Sequence, residues 1–131
     1  MEALAGSKLA TSASPPEGMR AAAYRRICDL RAWLQANAAR PLSMEQIAAQ
    51  GHTSVVTLQR HFRQAYGISV SEFIQRTRLE QARAALEQEG ISVTAAGAQA
   101  GYANPASFST AFKRHFGVSP RQLQARIQVS R

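Results

Sequence analysis

Apolar residues recur at steps of three and four along most of the chain, which is the period of an α-helix. The first stripe runs from Tyr24 to Ala38, and Pro41 ends it because proline cannot continue a helix. No segment alternates apolar and polar residues at period two, so we predict no strands. The chain is therefore predicted to be all-α, with about seven helices.

Local signals place the helix ends. Capping-box patterns stand at "SMEQ" (43–46), "SVSE" (69–72) and "SPRQ" (119–122), and Asn104 followed by Pro105 is typical of a helix start. Gly67, Gly90 and Gly117 are placed to end helices. The predicted helices are 19–39, 44–50, 54–66, 71–89, 93–100, 105–116 and 119–128.

The sequence contains an internal repeat. "TLQRHFRQAYGISV" (57–70) and "SFSTAFKRHFGVSP" (107–120) share a spacing of apolar residues, an aromatic–Gly pair and a following Ser. The short helices before them match in a register one residue shorter, which sets His52 opposite Gly101. Each copy reads as a helix, a Gly-containing turn and a second helix. This is the helix-turn-helix arrangement, whose second helix can lie in a DNA major groove.

This organisation predicts four segments. Residues 1–18, rich in Ala, Ser, Gly and Pro, are predicted to be a flexible tail or linker. Residues 19–70 form a first helix-turn-helix subdomain, 71–89 a linker helix, and 90–131 a second helix-turn-helix subdomain.

Charge narrows the class of partner. The net charge is +8, and residues 90–131 contain no Asp or Glu. Such an excess favours a polyanion, nucleic acid before a membrane surface, although a merely soluble basic domain has the same balance. No apolar run approaches the roughly 20 residues that span a bilayer.

The outward faces of the two second helices follow from the same periodicity. Gln and Arg can pair bidentately with adenine and guanine edges, and both occur on the first of these faces. The second face carries no bidentate reader, and either face can instead be solvated surface. The first stripe is Val56, Gln59, Arg60 and Arg63, and the second is Ala106, Ser109, Thr110 and Lys113.

Other chemistry is sparse. His52, His61 and His115 lack metal-ligand spacing, and we interpret them as structural or surface residues, with a phosphate contact open to the last two. Cys28, the only cysteine, lies on the first apolar stripe, where a buried inert thiol is favoured over a redox switch. No nucleophile–base set, carboxylate pair or phosphate loop is present, so we predict no enzymatic activity, no cofactor and no metal.

A family resemblance rests on three segments: "AGYANPASFSTAFKRHFGVSP", "TLQRHFRQAYG" and "RTRLEQARAAL". Over about Arg20 to Arg126 the chain resembles the DNA-binding domain of the AraC/XylS family of bacterial transcription activators. The resemblance implies two helix-turn-helix subdomains held apart by the helix 71–89. It also implies recognition helices that enter successive major-groove segments. It places base contacts at Val56, Gln59, Arg60, Ala106, Ser109 and Thr110.

Some positions depart from the family pattern. His52 stands where Gly is usual, so either Gly51 serves the turn or His52 takes a positive φ. Val70 replaces Pro, and Thr110 stands where many members carry Arg. Ala96 replaces a larger aliphatic residue and Gly97 replaces Ala, which is expected to weaken the second short helix.

The predicted function is a sequence-specific DNA-binding transcription regulator of the activator type, working in the cytoplasm at the nucleoid. Arg60 and Gln59, with Arg63 beside them, read bases, and the second subdomain adds affinity and register. Double-stranded DNA and RNA polymerase are the expected partners, with no membrane and no ligand site in this chain. The alternative is a helical module that docks on RNA polymerase or another regulator and binds DNA loosely. Predicted phosphate contacts are Ser54, Asn104, Ser107, Lys113 and Arg114.

Overall fold

A computed structural model of the chain describes residues 14–130. Most of the predicted flexible tail, residues 1–13, lies outside the described residues. The described part contains seven helices and no strand, which confirms the predicted all-α class. The helices are α1 (Ala21–Asn37), α2 (Met44–Gln50), α3 (Val55–Tyr66), α4 (Val70–Gln88), α5 (Val93–Gln99), α6 (Pro105–Phe116) and α7 (Pro120–Ser130).

The chain divides into two compact units between Phe73 and Ile74. The first unit contains α1, α2 and α3, and the second contains α5, α6 and α7. Helix α4 begins in the first unit and has most of its length in the second. Three of its apolar residues, Leu79, Ala82 and Leu86, belong to the core of the second unit.

The caps that the sequence predicts are formed. At the start of α2, the Gln46 amide donates to Ser43 Oγ at 3.1 Å, and the Ser43 amide donates to Gln46 Oε1 at 2.8 Å. Ser119 and Gln122 repeat both bonds at the start of α7. Since each box satisfies amides that a helix start leaves without partners, these residues fix where α2 and α7 begin.

The first unit packs around aromatic residues of α3. Leu58 and Phe62 are fully buried, and Phe62 meets Tyr66 and Phe73 edge to face, with ring centroids 4.9 Å and 5.4 Å away. The guanidinium of Arg31 lies 5.7 Å from the Tyr66 ring centroid, a cation–π distance. Helix α1 is thereby joined to the same cluster that fixes α3.

The second unit repeats this packing with α6. Phe108 and Phe112 are fully buried, their ring centroids are 5.5 Å apart, and Phe116 packs partly buried against Phe112. The repeated aromatic spacing therefore reflects two equivalent cores. The buried members of this core are Leu79, Ala82, Leu86, Ala96, Ala100, Phe108, Phe112 and Leu123.

Val70 and Pro120 occupy equivalent places in the two units. Each is the first residue of its helix and each is buried. Proline suits a first helical position because the amide it lacks would have no partner within the helix. Valine fills the same buried place in the first unit, so the departure from the family's usual Pro leaves the start of α4 intact.

The residues just before α1 contact the first unit. Met19 is buried in a small cluster with Ala23 and Tyr24, against which Cys28 packs half-buried. The side-chain amide of Gln64 donates to the Glu17 carbonyl at 3.0 Å. Burial raises the pKa of the nearby Tyr66 hydroxyl above its usual range. Cys28 packs against this cluster, as its place on the apolar stripe predicts, but it is half-buried and not buried as expected.

The turn between α2 and α3 takes its positive φ at His52. His52 has φ 55°, while Gly51 has φ −89°, so the second of the two sequence alternatives is correct. Gly51 is buried, and a Cβ at this position would lie 3.1 Å from Leu30 Cδ2. In the second unit the corresponding turn residue is Gly101, with φ 87°.

We expect His52→Gly to stabilise the first unit by about 0.5–1 kcal/mol, because glycine adopts the left-handed conformation without the steric cost that Cβ imposes. The increase would appear as a higher midpoint of urea unfolding followed by circular dichroism. The mirror-image control is Gly101→Ala, which forces Cβ into the same conformation and to 3.3 Å from Arg78 Nη1. That variant should be destabilised, and a stabilised Gly101→Ala would contradict this account of both turns.

Candidate nucleic-acid interface

Helix α3 presents one buried and one exposed face. Leu58 and Phe62 hold it against the first unit from one side. All four residues of the predicted outward stripe are exposed: Val56, Gln59, Arg60 and Arg63. Because Val56, Gln59 and Arg60 lie at three- and four-residue steps, their side chains project from neighbouring turns of the same face. The structure therefore presents an apolar side chain, an amide and a guanidinium together.

The start of α3 is capped by Ser54, whose Oγ accepts a hydrogen bond from the Thr57 amide at 3.1 Å. Amides in the first turn of a helix lack partners within the helix and carry partial positive charge. This helix start can therefore accept a phosphate, as predicted for Ser54.

Helix α6 has the same orientation in the second unit but a different exposed surface. Ala106, Thr110 and Lys113 are exposed, while Ser109 is half-buried. The half-buried position of Ser109 shortens the reach of a side chain that is already short. The surface that corresponds to Val56, Gln59 and Arg60 thus consists of the methyl group of Ala106, the hydroxyl of Ser109, and the hydroxyl and methyl groups of Thr110.

The start of α6 is capped by Asn104, whose Oδ1 accepts a hydrogen bond from the Ser107 amide at 2.8 Å. The Ser107 amide is consequently engaged, and a phosphate contact from this residue would come from its hydroxyl. Both Asn104 and Ser107 are exposed, as is Arg114 two turns further along the helix.

The C-terminal half of α6 contacts charged residues of α4. His115 Nε2 lies 3.6 Å from Glu80 Oε2, and the Arg83 guanidinium lies 5.0 Å from the Phe116 ring centroid. Within α4, Arg83 also pairs with Glu87 at 3.1 Å, an i,i+4 ion pair. The contacts of His115 and Phe116 join α6 to α4, while Lys113 and Arg114 remain exposed to solvent.

The electrostatics of both helices favour an anion. Neither α3 nor α6 contains an Asp or a Glu. Burial lowers the pKa of His61, and the nearby Arg60 and Arg26 lower it further. A lowered pKa favours the neutral imidazole, and the exposed positive charge comes from Arg60 and Arg63 on α3 and from Lys113 and Arg114 on α6.

A shallow groove borders α6. Five of its lining residues belong to α6, and two come from elsewhere in the second unit, where Gln75 Nε2 donates to the Tyr102 hydroxyl at 2.9 Å. Sequence periodicity does not single out Gln75 and Tyr102, because they lie on different elements and meet only through the packing of α4. The groove is lined by Gln75, Tyr102, Ala106, Ser107, Thr110, Ala111 and Arg114.

The family model described as "Helix-turn-helix domain" matches residues 47–126. A transcriptional regulator structure from Chromobacterium violaceum, with an AraC-type DNA-binding domain, superposes with a TM-score of 0.74 at 29% identity. The superposition covers 82% of this chain and 96% of that one. The chain belongs to the AraC-type helix-turn-helix family of DNA-binding domains.

Two further similarities describe this AraC-type domain. The DNA-binding domain of AdpA, a global transcriptional factor solved in complex with a target DNA, has a TM-score of 0.72 at 25% identity, covering 81% of this chain and 96% of that one. The transcriptional activator RhaS of Klebsiella pneumoniae (strain 342) is 35% identical over 99 residues, or 76% of this chain. Those residues span 36% of the length of RhaS.

The family assignment confirms the resemblance seen in the sequence, the fold and the DNA-binding class, and an AraC-type domain of this kind is not an enzyme. Within residues 14–130 no three His, Cys, Asp or Glu side chains cluster as metal ligands. None of the described helices is long and apolar enough to cross a bilayer. The base and phosphate contacts of individual residues stay predictions.

Proposed function

We propose that this AraC-type domain directs a transcription regulator to a specific DNA site, and that its first unit does most of the base reading. The observation that carries the proposal is the difference between the two exposed faces on equivalent scaffolds. Val56, Gln59 and Arg60 are exposed on α3, whereas α6 offers only small side chains at the corresponding positions.

The chemistry of Gln59 and Arg60 suits base recognition. An arginine guanidinium can donate two hydrogen bonds to O6 and N7 of guanine, and a glutamine amide can pair with N6 and N7 of adenine. Both side chains stand within the first two turns of α3, the part of a recognition helix that meets base edges. Arg63 lies one turn further along and completes this face.

The second unit contributes affinity and register in this proposal. Lys113 and Arg114 are exposed and basic, and the capped start of α6 at Asn104 and Ser107 suits a phosphate. Ala106, Ser109 and Thr110 can touch bases but have no bidentate geometry. Phosphate contacts fix position on DNA without selecting sequence, so this unit would anchor the first.

The duplicated motif supports a two-part site. The subdomains 19–70 and 90–131, joined by the helix 71–89, would place α3 and α6 in successive major-groove segments of one duplex. Because the two faces differ, the preferred site would be asymmetric, with its specific bases concentrated in the half that meets α3.

We further propose that the regulator activates transcription at the nucleoid by contact with RNA polymerase. RhaS, the relative compared above, bears the name of a transcriptional activator. Since this chain spans only 36% of RhaS, that part of the proposal concerns the whole regulator and its partners.

The test is a fluorescence titration of the 131-residue chain against two duplexes, a site selected from random DNA and a scrambled duplex of equal length. We expect tighter binding to the selected site by about 10³-fold or more at physiological salt, with a steep salt dependence on both duplexes. A steep salt slope with equal affinity for the two duplexes would contradict the proposal and favour the docking module with loose DNA binding.

A further inference from the structure

Val56 stands out on the exposed face of α3. It is 69% exposed, and it is the only large apolar side chain exposed in the part of the chain that the structure describes. Moving an apolar side chain out of water is favourable, so a valine that stays exposed in the folded chain does not contribute this hydrophobic stabilisation. Val56 therefore contributes nothing to the core of the first unit.

The surroundings of Val56 indicate what can cover it. It is the second residue of α3, directly after the capped start at Ser54, and Gln59 and Arg60 project one turn beyond it. The major groove offers one prominent apolar group, the C5-methyl of thymine. All other groove edges present hydrogen-bond donors and acceptors that a valine cannot satisfy.

We infer that Val56 selects a thymine by packing its side chain against the C5-methyl group, beside the bases that Gln59 and Arg60 pair with. The inference rests on the proposed function and assigns one base of its site. Valine suits the task because its branched Cβ holds the methyl groups in one strongly preferred rotamer on a helix. Because the side chain already occupies one rotamer, the contact costs little side-chain conformational entropy.

The second unit serves as an internal comparison. Ala106 takes the place of Val56 on α6 and is also exposed, but it carries a single methyl group close to the backbone. Its shorter side chain gives less apolar contact area, so a thymine opposite α6 should matter less than the thymine opposite α3.

The experiment replaces each thymine of the selected site by deoxyuridine, one at a time, and measures Kd with the intact 131-residue chain. The replacement removes only the methyl group and leaves every hydrogen bond of the base pair. For one thymine in the half read by α3, we expect a three- to fivefold weakening, about the value of one buried methyl group.

Val56→Ala should reduce that methyl effect, because alanine offers only one methyl group close to the backbone, while retaining a normal circular dichroism melt because the side chain is exposed. Ala32→Ser, at an exposed position of α1 outside the proposed contact surface, is the control and should keep the full thymine preference. A selected site without thymine in the α3 half, or a methyl effect of the same size in Val56→Ala, would overturn the inference. If the wild-type chain bound the selected and the scrambled duplex equally well, that result would instead refute the proposed function.

Discussion

Arg60→Ala is expected to weaken binding to the selected site by about 1–3 kcal/mol, or roughly 5- to 150-fold, and to relax the base preference at one position. Arg60 is exposed beside Gln59 on α3, a helix without acidic residues, so its guanidinium is available to a guanine edge. The change removes both donors of a bidentate pair. A gel-shift series on the selected and scrambled duplexes measures the two affinities.

The structure supplies the matched control for this variant. Thr110 occupies the position of Arg60 on α6, and its hydroxyl has no bidentate geometry. Thr110→Ala should therefore cost less than Arg60→Ala on the selected site. Equal losses on both duplexes would show that Arg60 contacts phosphate, and a larger loss for Thr110→Ala would make the second unit the principal reader.

Gly97→Ala is expected to destabilise the second unit by up to about 2 kcal/mol, although alanine is the better helix former. A Cβ at Gly97 would lie 3.0 Å from Cδ2 and 3.1 Å from Cγ of Phe108. Phe108 is fully buried between Tyr102 and Phe112, so its ring has little freedom to move. The overpacking cost of about 1–3 kcal/mol should exceed the gain in helix propensity of about 1 kcal/mol.

Urea unfolding of Gly97→Ala, Phe108→Leu and the double variant would separate the two effects. Leucine at 108 keeps Cβ, Cγ and Cδ2 but lacks the rest of the rigid ring, so these atoms can shift away from the new Cβ. Gly97→Ala should therefore cost less in that background than in the wild type. Ala98→Gly, at an exposed position of α5, measures propensity alone and should cost about 0.5–1 kcal/mol. A Gly97→Ala variant more stable than the wild type would show that Phe108 can yield.

The structure adds a packing contact to the sequence expectation for α5. Helix propensity alone marks Gly97 as a destabilising residue in a short helix. The propensity carries no information about contacts with other helices. The contact with Phe108 joins residues that are distant along the chain, so it follows from how α5 and α6 pack. The glycine is consistent with a close approach of this helix to the aromatic core.

His52 shows the same limit in a turn. The repeat aligned His52 with Gly101 and left two ways to build the turn. The structure gives the positive φ to His52, the position that Gly101 takes in the second unit. Gly51 keeps a negative φ, and a Cβ there would lie 3.1 Å from Leu30 of α1.

By itself the sequence determined the helical class, the repeat, the caps and the exposed faces of α3 and α6. The helical class, the caps and the exposed faces depend on residues a few positions apart, so short-range spacing and hydrogen bonding suffice to define them, and the repeat follows from comparing two segments of the sequence. Only the tertiary structure decided the turn at His52, the reason for Gly97, the pairing of Gln75 with Tyr102 and the isolation of Val56. Each of these depends on what a distant segment places beside the residue, because packing and exposure are properties of neighbours in space.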